Sequence, residues 1–217
     1  MAGRGASAGL DTVPARVYSD PVTTEYAAGA ALAGSPADDR EIRLIEAARD
    51  GDEDAIREIY AAYRRPVWAL VVSLVGDPLL AQDVVQTVFF KAFRGLRGFR
   101  FRSTLLTWLY GISRNECRSL ARRRVPQAVP LDRILGSRYE AAEVPEDGAS
   151  DAADALRRAV ASLPFKLREV VVLKYQEGLS YEEMSRVLGR PAGTVASRLN
   201  RALAELGTRL GPEGGPR

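Results

Sequence analysis

The chain has 217 residues, enough for one large domain or two small ones, and its 31 Lys and Arg against 28 Asp and Glu leave a formal charge of only +3. The single cysteine, Cys117, excludes an internal disulfide, and the lack of histidine excludes a Cys/His zinc site and the commonest general base. Because one cysteine fits a reducing cytosol, we expect a cytoplasmic protein. A glycine-rich phosphate loop and a nucleophile elbow are missing too, so we expect a non-enzymatic protein with no catalytic residues, cofactor or metal.

The first 37 residues are rich in Ala, Gly, Ser and Thr and show no sustained periodicity. We interpret residues 1–37 as a flexible arm. The weakly apolar segment between Glu25 and Asp38 does not have the pattern of a signal peptide. The uncharged run from Pro66 to Gly76 is shorter than the ~20 residues needed to cross a bilayer. We therefore expect no direct membrane insertion.

Helical periodicity begins near Asp38 and predicts three successive helices. The first ends at Gly51, and the second runs from Asp52 to about Val75. Pro66 lies inside the second helix and is expected to kink or interrupt it, since proline removes a backbone hydrogen bond. Asp77-Pro78 supplies the N-cap and first residue of the third helix.

The third helix has an outer face that is unusual for a solvated surface. Asp83, Gln86 and Phe90 share this face, while the valines between them point to the opposite side. An exposed aromatic residue beside polar residues is typical of a protein interface. The alternative is that Phe90 tucks under a neighbouring loop.

Arginines alternate with aromatic residues from Phe93 to Arg102, before a helix that is capped by Ser103 or Thr104 and continues to Arg124. This mixture is typical of proteins that bind single-stranded nucleic acid, because cations follow the backbone and rings or pockets accept unstacked bases. The alternative is a solvated helix whose arginines lie near its C-terminal dipole. The candidate nucleic-acid residues are Phe99, Arg100, Phe101, Arg102, Ser103, Thr104, Trp108, Arg114, Asn115 and Arg118.

The residue types in this set suggest different roles. Asn115 offers both a donor and an acceptor to the edge of a base. Phe99 and Phe101 would form the walls of a base pocket, and the arginines would hold the nucleic-acid backbone. Trp108 lies nearer the apolar face of the helix, so we interpret it mainly as core support, with stacking on an open strand as its second role.

Acidic residues and prolines separate this half of the chain from the next. Residues 125–150 contain Pro126, Pro130 and Pro145 and predict a linker. Beyond the linker, one helix is predicted from Asp151 to Ser162 and another opens at Leu163-Pro164. Residues 211–217 are interpreted as a flexible tail.

The stretch from Gly178 to Leu206 has the pattern of two short helices joined by a tight turn. Ser180 and Glu183 form a capping box at the start, and Gly189 suits the left-handed end of the first helix. The second helix has an apolar face and a polar face that suits a DNA major groove. The alternative is an ordinary helical hairpin with a solvated face. The polar face carries Thr194, Ser197, Arg198 and Arg201.

Several motifs, in this order, resemble bacterial sigma factors of the extracytoplasmic-function (ECF) group. They are DVVQ with VF at 83–89, TWLYGI with RN at 107–115, LP at 163–164, and GLSYEE with GTV and SR at 178–198. The resemblance implies an all-α protein of two small helical domains, residues 38–124 and 151–210, joined by a flexible linker.

The resemblance also implies the partners of each module. The first module would bind the clamp helices of the largest polymerase subunit through Asp83, Gln86 and Phe90. Its loop over residues 99–104 and the helix carrying Asn115 would open the minus-10 promoter element. The second module would read the minus-35 element as duplex DNA and contact the flap of the second-largest subunit. An anti-sigma factor is a usual partner in the group.

The chain departs from the family pattern at three points. Residues 101–104 are bulkier and more basic than the usual minus-10 loop, Ala196 replaces a usual Lys or Arg, and Thr87 replaces a common Glu. Two other classes of protein remain as alternatives. One is a free-standing helix-turn-helix regulator that binds duplex DNA as a dimer, and the other is an interaction scaffold whose basic regions are merely solvated.

Overall fold

The computed structural model describes residues 39–123 and 151–210, which are helical apart from short connections. The predicted all-α class is confirmed, with no strand in these two ranges. The predicted arm, linker and tail, residues 1–37, 125–150 and 211–217, lie outside the described residues. The α-helices are α1 (Asp39–Asp50), α2 (Glu53–Val75), α3 (Pro78–Gly95), α4 (Leu105–Arg123), α5 (Asp151–Ala161), α6 (Phe165–Val171), α7 (Tyr181–Leu188) and α8 (Ala192–Leu210).

Two irregular helical segments complete this order. A 3-10 turn, Leu96–Gly98, follows α3, and a π-helical segment, Val172–Gln176, follows α6. We refer to α1–α4 as the first module and to α5–α8 as the second module. Among the described residues, no helix combines the length and the apolar character that crossing a membrane requires.

Helix α2 has the end caps typical of a helix, but its internal proline does not interrupt it. The Asp52 carboxylate accepts hydrogen bonds from the Asp54 and Ala55 amides, and Gly76 ends the helix with a φ of 77°. The helix runs through Pro66, so the expected interruption is wrong, while a kink at this residue stays a prediction. Burial of the apolar residues that follow, Val67 and Leu70 among them, favours continuation over the lost hydrogen bond.

The predicted caps at the two functional helices of the first module are confirmed. Asp77 accepts hydrogen bonds from the Leu79 and Leu80 amides at the start of α3. Thr104 Oγ1 accepts a hydrogen bond of 3.1 Å from the Thr107 amide at the start of α4. Each cap sets the residue at which its helix begins.

The helix-turn-helix of the second module is also confirmed. Ser180 and Glu183 form both hydrogen bonds of the capping box at α7, and Gly189 ends α7 with a φ of 60°. Helix α8 continues to Leu210, four residues beyond the predicted pattern. Its buried face holds the predicted residues Val195, Leu199, Ala202 and Leu206.

The two modules pack against each other through α4 and α7, and the buried residues of both form one continuous apolar cluster. Polar contacts add to this interface. Ser73 Oγ in α2 donates to Gln176 Oε1 at 2.6 Å, and Arg168 Nη1 donates to the Leu74 carbonyl at 2.9 Å. The tethered modules inferred from the sequence are therefore in direct contact in this structure.

Candidate polymerase- and nucleic-acid-binding surfaces

The outer face of α3 is open to solvent. Asp83 and Gln86 are exposed, and the Phe90 side chain is 60% exposed. The Arg94 guanidinium lies 5.4 Å from the centre of the Phe90 ring, which is a cation–π contact rather than burial. Phe90 therefore does not tuck under a loop.

Sequence reasoning missed Leu79, which is the most exposed of the large apolar residues in the described ranges. It lies four residues before Asp83, and helical spacing places both on the same side of α3. This i, i+4 spacing was the available signal. We define the α3 stripe as Leu79, Asp83, Gln86 and Phe90.

The loop before α4 is held by an aromatic cluster. The Phe99 ring is only 5% exposed, with its centroid 5.1 Å from that of Phe101 and 5.2 Å from that of Trp108. Phe99 thus belongs to the core more than to an open pocket. Phe101 and Trp108 are partly exposed and border the surface.

Arg49 of α1 supports this loop, and sequence reasoning missed it because it lies 50 residues away from the loop. Its Nε donates to the Leu96 carbonyl at 3.1 Å and its Nη2 donates to the Phe99 carbonyl. Its guanidinium also lies 4.8 Å from the Phe101 ring centre. Phe101 has a φ of 54°, a conformation that strains a bulky residue and persists only where the surroundings hold it.

The polar residues of the loop divide into exposed and structural ones. Arg100 and Arg102 are exposed and can reach a nucleic-acid backbone. Ser103 Oγ donates to the Thr104 carbonyl at 3.1 Å, and Thr104 is buried with its hydroxyl 2.9 Å from that of Thr107. Thr104 therefore acts as the cap of α4, and its hydroxyl is already hydrogen-bonded to Thr107.

The two candidate arginines of α4 differ in how far they are buried. Arg114 is 6% exposed, and its Nε and Nη2 donate to the two carboxylate oxygens of Glu169 in α6, at 2.8 and 3.3 Å. Asn115 is exposed, and its Oδ1 accepts a hydrogen bond of 3.2 Å from Arg114 Nη1. Arg118 is partly exposed, so the structure keeps Asn115 and Arg118 accessible and buries Arg114.

A cleft of about 290 Å³ lies between α4 and α7, directly beside Asn115. The end of α7 therefore approaches the face of α4 that the sequence assigns to the open strand. The cleft is lined on α4 by Trp108, Gly111, Ile112, Arg114 and Asn115, on α7 by Arg186, Val187 and Leu188, and after α7 by its C-cap Gly189.

The polar face of α8 is only partly free. Thr194 and Ser197 are exposed, and the Arg201 side chain is 77% exposed, 3.4 Å from Glu205. The Arg198 side chain is 22% exposed, with its Nη1 3.5 Å from Glu169 Oε1. Three of the four predicted residues therefore project outward, while Arg198 turns towards Glu169.

A second buried carboxylate, Glu177, lies near the same interface. Tyr110 in α4 donates its hydroxyl hydrogen to Glu177 Oε2, and Gln176 Nε2 donates to Oε1 at 2.9 Å. Burial raises the pKa of Glu177 to about 7, and these hydrogen bonds partly oppose the shift. The pKa of Tyr110 is raised well above its usual value by burial and then by the Glu177 charge.

Comparison with known proteins places both modules in one family. The Sigma-70 region 2 profile matches residues 59–126, and the Sigma-70, region 4 profile matches residues 153–206. The ECF RNA polymerase sigma-E factor of Escherichia coli K12 is 34% identical over 181 residues, covering 78% of this chain and 93% of that protein. The RNA polymerase sigma-H factor of Pseudomonas aeruginosa is 33% identical over 184 residues, covering 80% and 95%.

Two solved structures are similar as well. The sigma factor RpoE of Bartonella quintana, in complex with the anti-sigma factor NepR, has 28% identity and a TM-score of 0.57, covering 71% of this chain and 95% of that chain. CnrH in complex with the cytosolic domain of CnrY has 26% identity and a TM-score of 0.56, covering 77% and 94%. The region 2 match begins within α2 and includes α3 and α4, and the region 4 match includes most of α5–α8.

Proposed function

This chain belongs to the sigma-70 family and is an RNA polymerase sigma factor of the ECF group, and we propose that three of its surfaces divide the work of promoter recognition. The observation that carries this proposal is the order of region 2 and region 4 along one chain, each with its own outward-facing side chains. A free-standing regulator is not favoured, since it would leave the region 2 module without a role.

The α3 stripe would anchor the chain to the clamp helices of the largest polymerase subunit. Its support is a row of exposed apolar and polar side chains on a helix whose opposite face is fully used by the core. Exposed aromatic residues surrounded by polar ones commonly dominate the binding energy of an interface. A contact of the second module with the flap of the second-largest subunit would complete the assembly.

The loop over residues 99–104 and α4 would open the minus-10 element. Extruding a base from duplex DNA costs a few kcal/mol, so the protein must offer the base a better environment. Asn115 would bond its edge, Phe101 and Trp108 would border it, and Phe99 would support both rings from the core. The backbone would be held by Arg100, Arg102, Arg114 and Arg118, with Ser103 at the rim and Thr104 fixing the start of α4.

Helix α8 would read the minus-35 element in the major groove. Thr194, Ser197 and Arg201 project from one face and can reach base edges or phosphates. Arg198 belongs to the same face once its contact with Glu169 is released. Ala196, where the family usually has Lys or Arg, would leave one contact unmade.

The direct test is run-off transcription with core polymerase, the purified chain and genomic DNA fragments, followed by mapping of start sites. We expect transcription from a defined set of promoters without any other specificity subunit. Transcription that appears only when a resident sigma factor is added would contradict the proposed role.

An anti-sigma factor would hold the chain inactive. The similar RpoE structure is a complex with the anti-sigma factor NepR, and the similar CnrH structure is a complex with the cytosolic domain of CnrY, which supports the proposal. We expect a stoichiometric partner to co-purify with the tagged chain and to lower run-off transcription when it is added back. A purified partner that leaves transcription unchanged would contradict this role.

A further inference from the structure

One buried carboxylate joins the two DNA-binding modules. Glu169 in α6 is fully buried, and its two oxygens accept hydrogen bonds from Arg114 in the first module. The Arg198 guanidinium of α8 lies 3.5 Å from the same carboxylate. Glu169 therefore binds one arginine from each of the two surfaces that face promoter DNA.

Arginine presents the same planar fork of donors to a carboxylate and to a phosphate. In this structure, the Glu169 oxygens occupy the positions on Arg114 that a phosphate would use. Arg114 cannot contact a DNA backbone while it is 6% exposed and doubly bonded to Glu169. The end of α7 also lines the cleft beside Asn115, which narrows access to the base-binding face.

The promoter geometry is incompatible with this arrangement. Elements named for positions minus 10 and minus 35 are about 25 base pairs apart, or roughly 85 Å at 3.4 Å per base pair. Arg114 and Arg198 instead share one carboxylate within 3.5 Å. The same conformation cannot therefore place the two modules on both elements.

We propose that the structure is an autoinhibited state in which Glu169 acts as an intramolecular latch on the DNA-binding arginines. Promoter phosphates compete with the latch and replace the carboxylate on Arg114 and Arg198 as the modules separate. This inference rests on the proposed function, because it needs both arginines to face DNA.

The other polar contacts between the modules suit reversible opening. Ser73–Gln176, Arg168–Leu74 and Tyr110–Glu177 are hydrogen bonds that water can replace once the modules part. A buried ion pair also has a high desolvation cost, so it holds the modules in one arrangement without making them inseparable. The latch therefore determines how the two modules are arranged more than how tightly they are held together.

A removable cross-link tests whether the closed state masks DNA. Ser73→Cys with Gln176→Cys places one thiol on each module, and a bifunctional methanethiosulfonate reagent with an ethane spacer would join them. Native Cys117 is buried and its thiol pKa is raised to about 12, so it does not compete for the reagent. Each single-cysteine variant, treated in the same way, is the control for modification without bridging.

We expect the cross-linked full chain to lose minus-35 duplex binding and promoter-dependent transcription by roughly tenfold or more, and to regain both when a reducing agent removes the bridge. Equal transcription with and without the bridge would overturn the latch alone. Transcription absent from every form, including the untreated wild type, would overturn the proposed function and the latch with it.

A charge-neutral variant tests Glu169 itself. Glu169→Gln keeps the shape of the side chain but removes the charge, so we expect duplex binding by the free chain to rise about fivefold or more. Fluorescence energy transfer between dyes at residues 46 and 204 should report a larger distance between the modules. Glu58→Gln, which removes the carboxylate of an ion pair with Arg40 inside the first module, is the matched control.

Module separation and DNA affinity together decide whether Glu169 acts as a latch. Unchanged module separation and unchanged DNA affinity in Glu169→Gln would overturn the proposal. If that variant does not fold, the cross-linked chain still tests whether the closed state is autoinhibited, because it leaves Glu169 intact.

Discussion

The α3 stripe and the α4 face differ in how open they are to a partner. Phe90 on the stripe is 60% exposed, whereas Arg114 on α4 is 6% exposed and paired with the other module. Under the proposed roles of the two surfaces, this difference predicts an order of events, in which polymerase binds the stripe before DNA reaches the α4 face. The accessible α3 stripe and the α4 face, whose Arg114 is buried against the second module, therefore lie on adjacent helices.

The largest expected effect comes from removing side chains of the α3 stripe. Asp83→Ala combined with Phe90→Ala should weaken binding to core polymerase by ~2 kcal/mol or more, because interface energy concentrates in such residues. Both side chains point outward, so the thermal unfolding midpoint should change little. The measurement is a binding titration with core polymerase, with Glu46→Ala at an exposed position of α1 as the control. Undiminished affinity in the double variant would remove the stripe from the interface.

Substitutions of the two arginines of α8 should differ in their effect on DNA affinity, because Arg201 is exposed and Arg198 contacts Glu169. Arg201→Ala should cost ~1–3 kcal/mol of minus-35 affinity and relax preference at one base pair if it bonds a guanine. Arg198→Ala should cost less in the free chain, because it removes a DNA contact and also loosens Glu169. Selection of binding sites from a randomised duplex measures both effects. Identical losses with no change in base preference would contradict the distinction.

Strand opening should depend on Asn115. Asn115→Ala should reduce open-complex formation by about 1 kcal/mol or more through loss of its bonds to an unstacked base. A template already mismatched at the minus-10 element should restore much of the activity, since unpairing is no longer required. Permanganate footprinting on both templates provides the comparison. Equal loss on both templates would show that Asn115 acts in another step.

The smallest expected effect is a pH dependence of the closed state. Burial raises the pKa of Glu177 from 4.5 to about 7, so the closed state binds this proton more tightly than an opened state with normal exposure. Its contribution to closing is full below pH 4.5 and is lost as the pH rises through about 7.

Energy transfer between the modules should therefore fall between pH 6 and pH 8 in the wild type. Glu177→Gln, which mimics the protonated group, should flatten this part of the profile. A profile unaffected by the substitution would mean that Glu177 does not report on closing.

Local chemistry made much of this fold predictable. The caps at Asp77, Thr104 and Ser180 and the left-handed Gly189 depend on residues a few positions apart, so the sequence alone identifies them. The outward α3 residues follow from helical periodicity in the same way. The predicted interruption at Pro66 does not occur, because the burial of its neighbours is a tertiary effect that a local rule does not include.

The contacts that alter the site could not be predicted in this way. Arg114 and Glu169 are 55 residues apart and lie in different modules, and Arg49 reaches a loop 50 residues away. Nothing in the pattern of α4 distinguishes Arg114, which is buried, from Arg118, which stays partly exposed. The site residues were thus identifiable by type and spacing, but their accessibility depends on how the modules pack.

The most direct test compares the two surfaces in one molecule held closed. The chain bridged between residues 73 and 176 should bind a clamp-helix fragment of the largest polymerase subunit with an affinity within about twofold of the unbridged chain, because only the α3 stripe is proposed to contact that fragment. The same bridged chain should bind the minus-35 duplex at least about tenfold more weakly. Titrations of one preparation with the fragment and with the duplex give both values. Loss of binding to the fragment, or retention of DNA binding, would contradict an accessible α3 stripe beside a masked DNA surface.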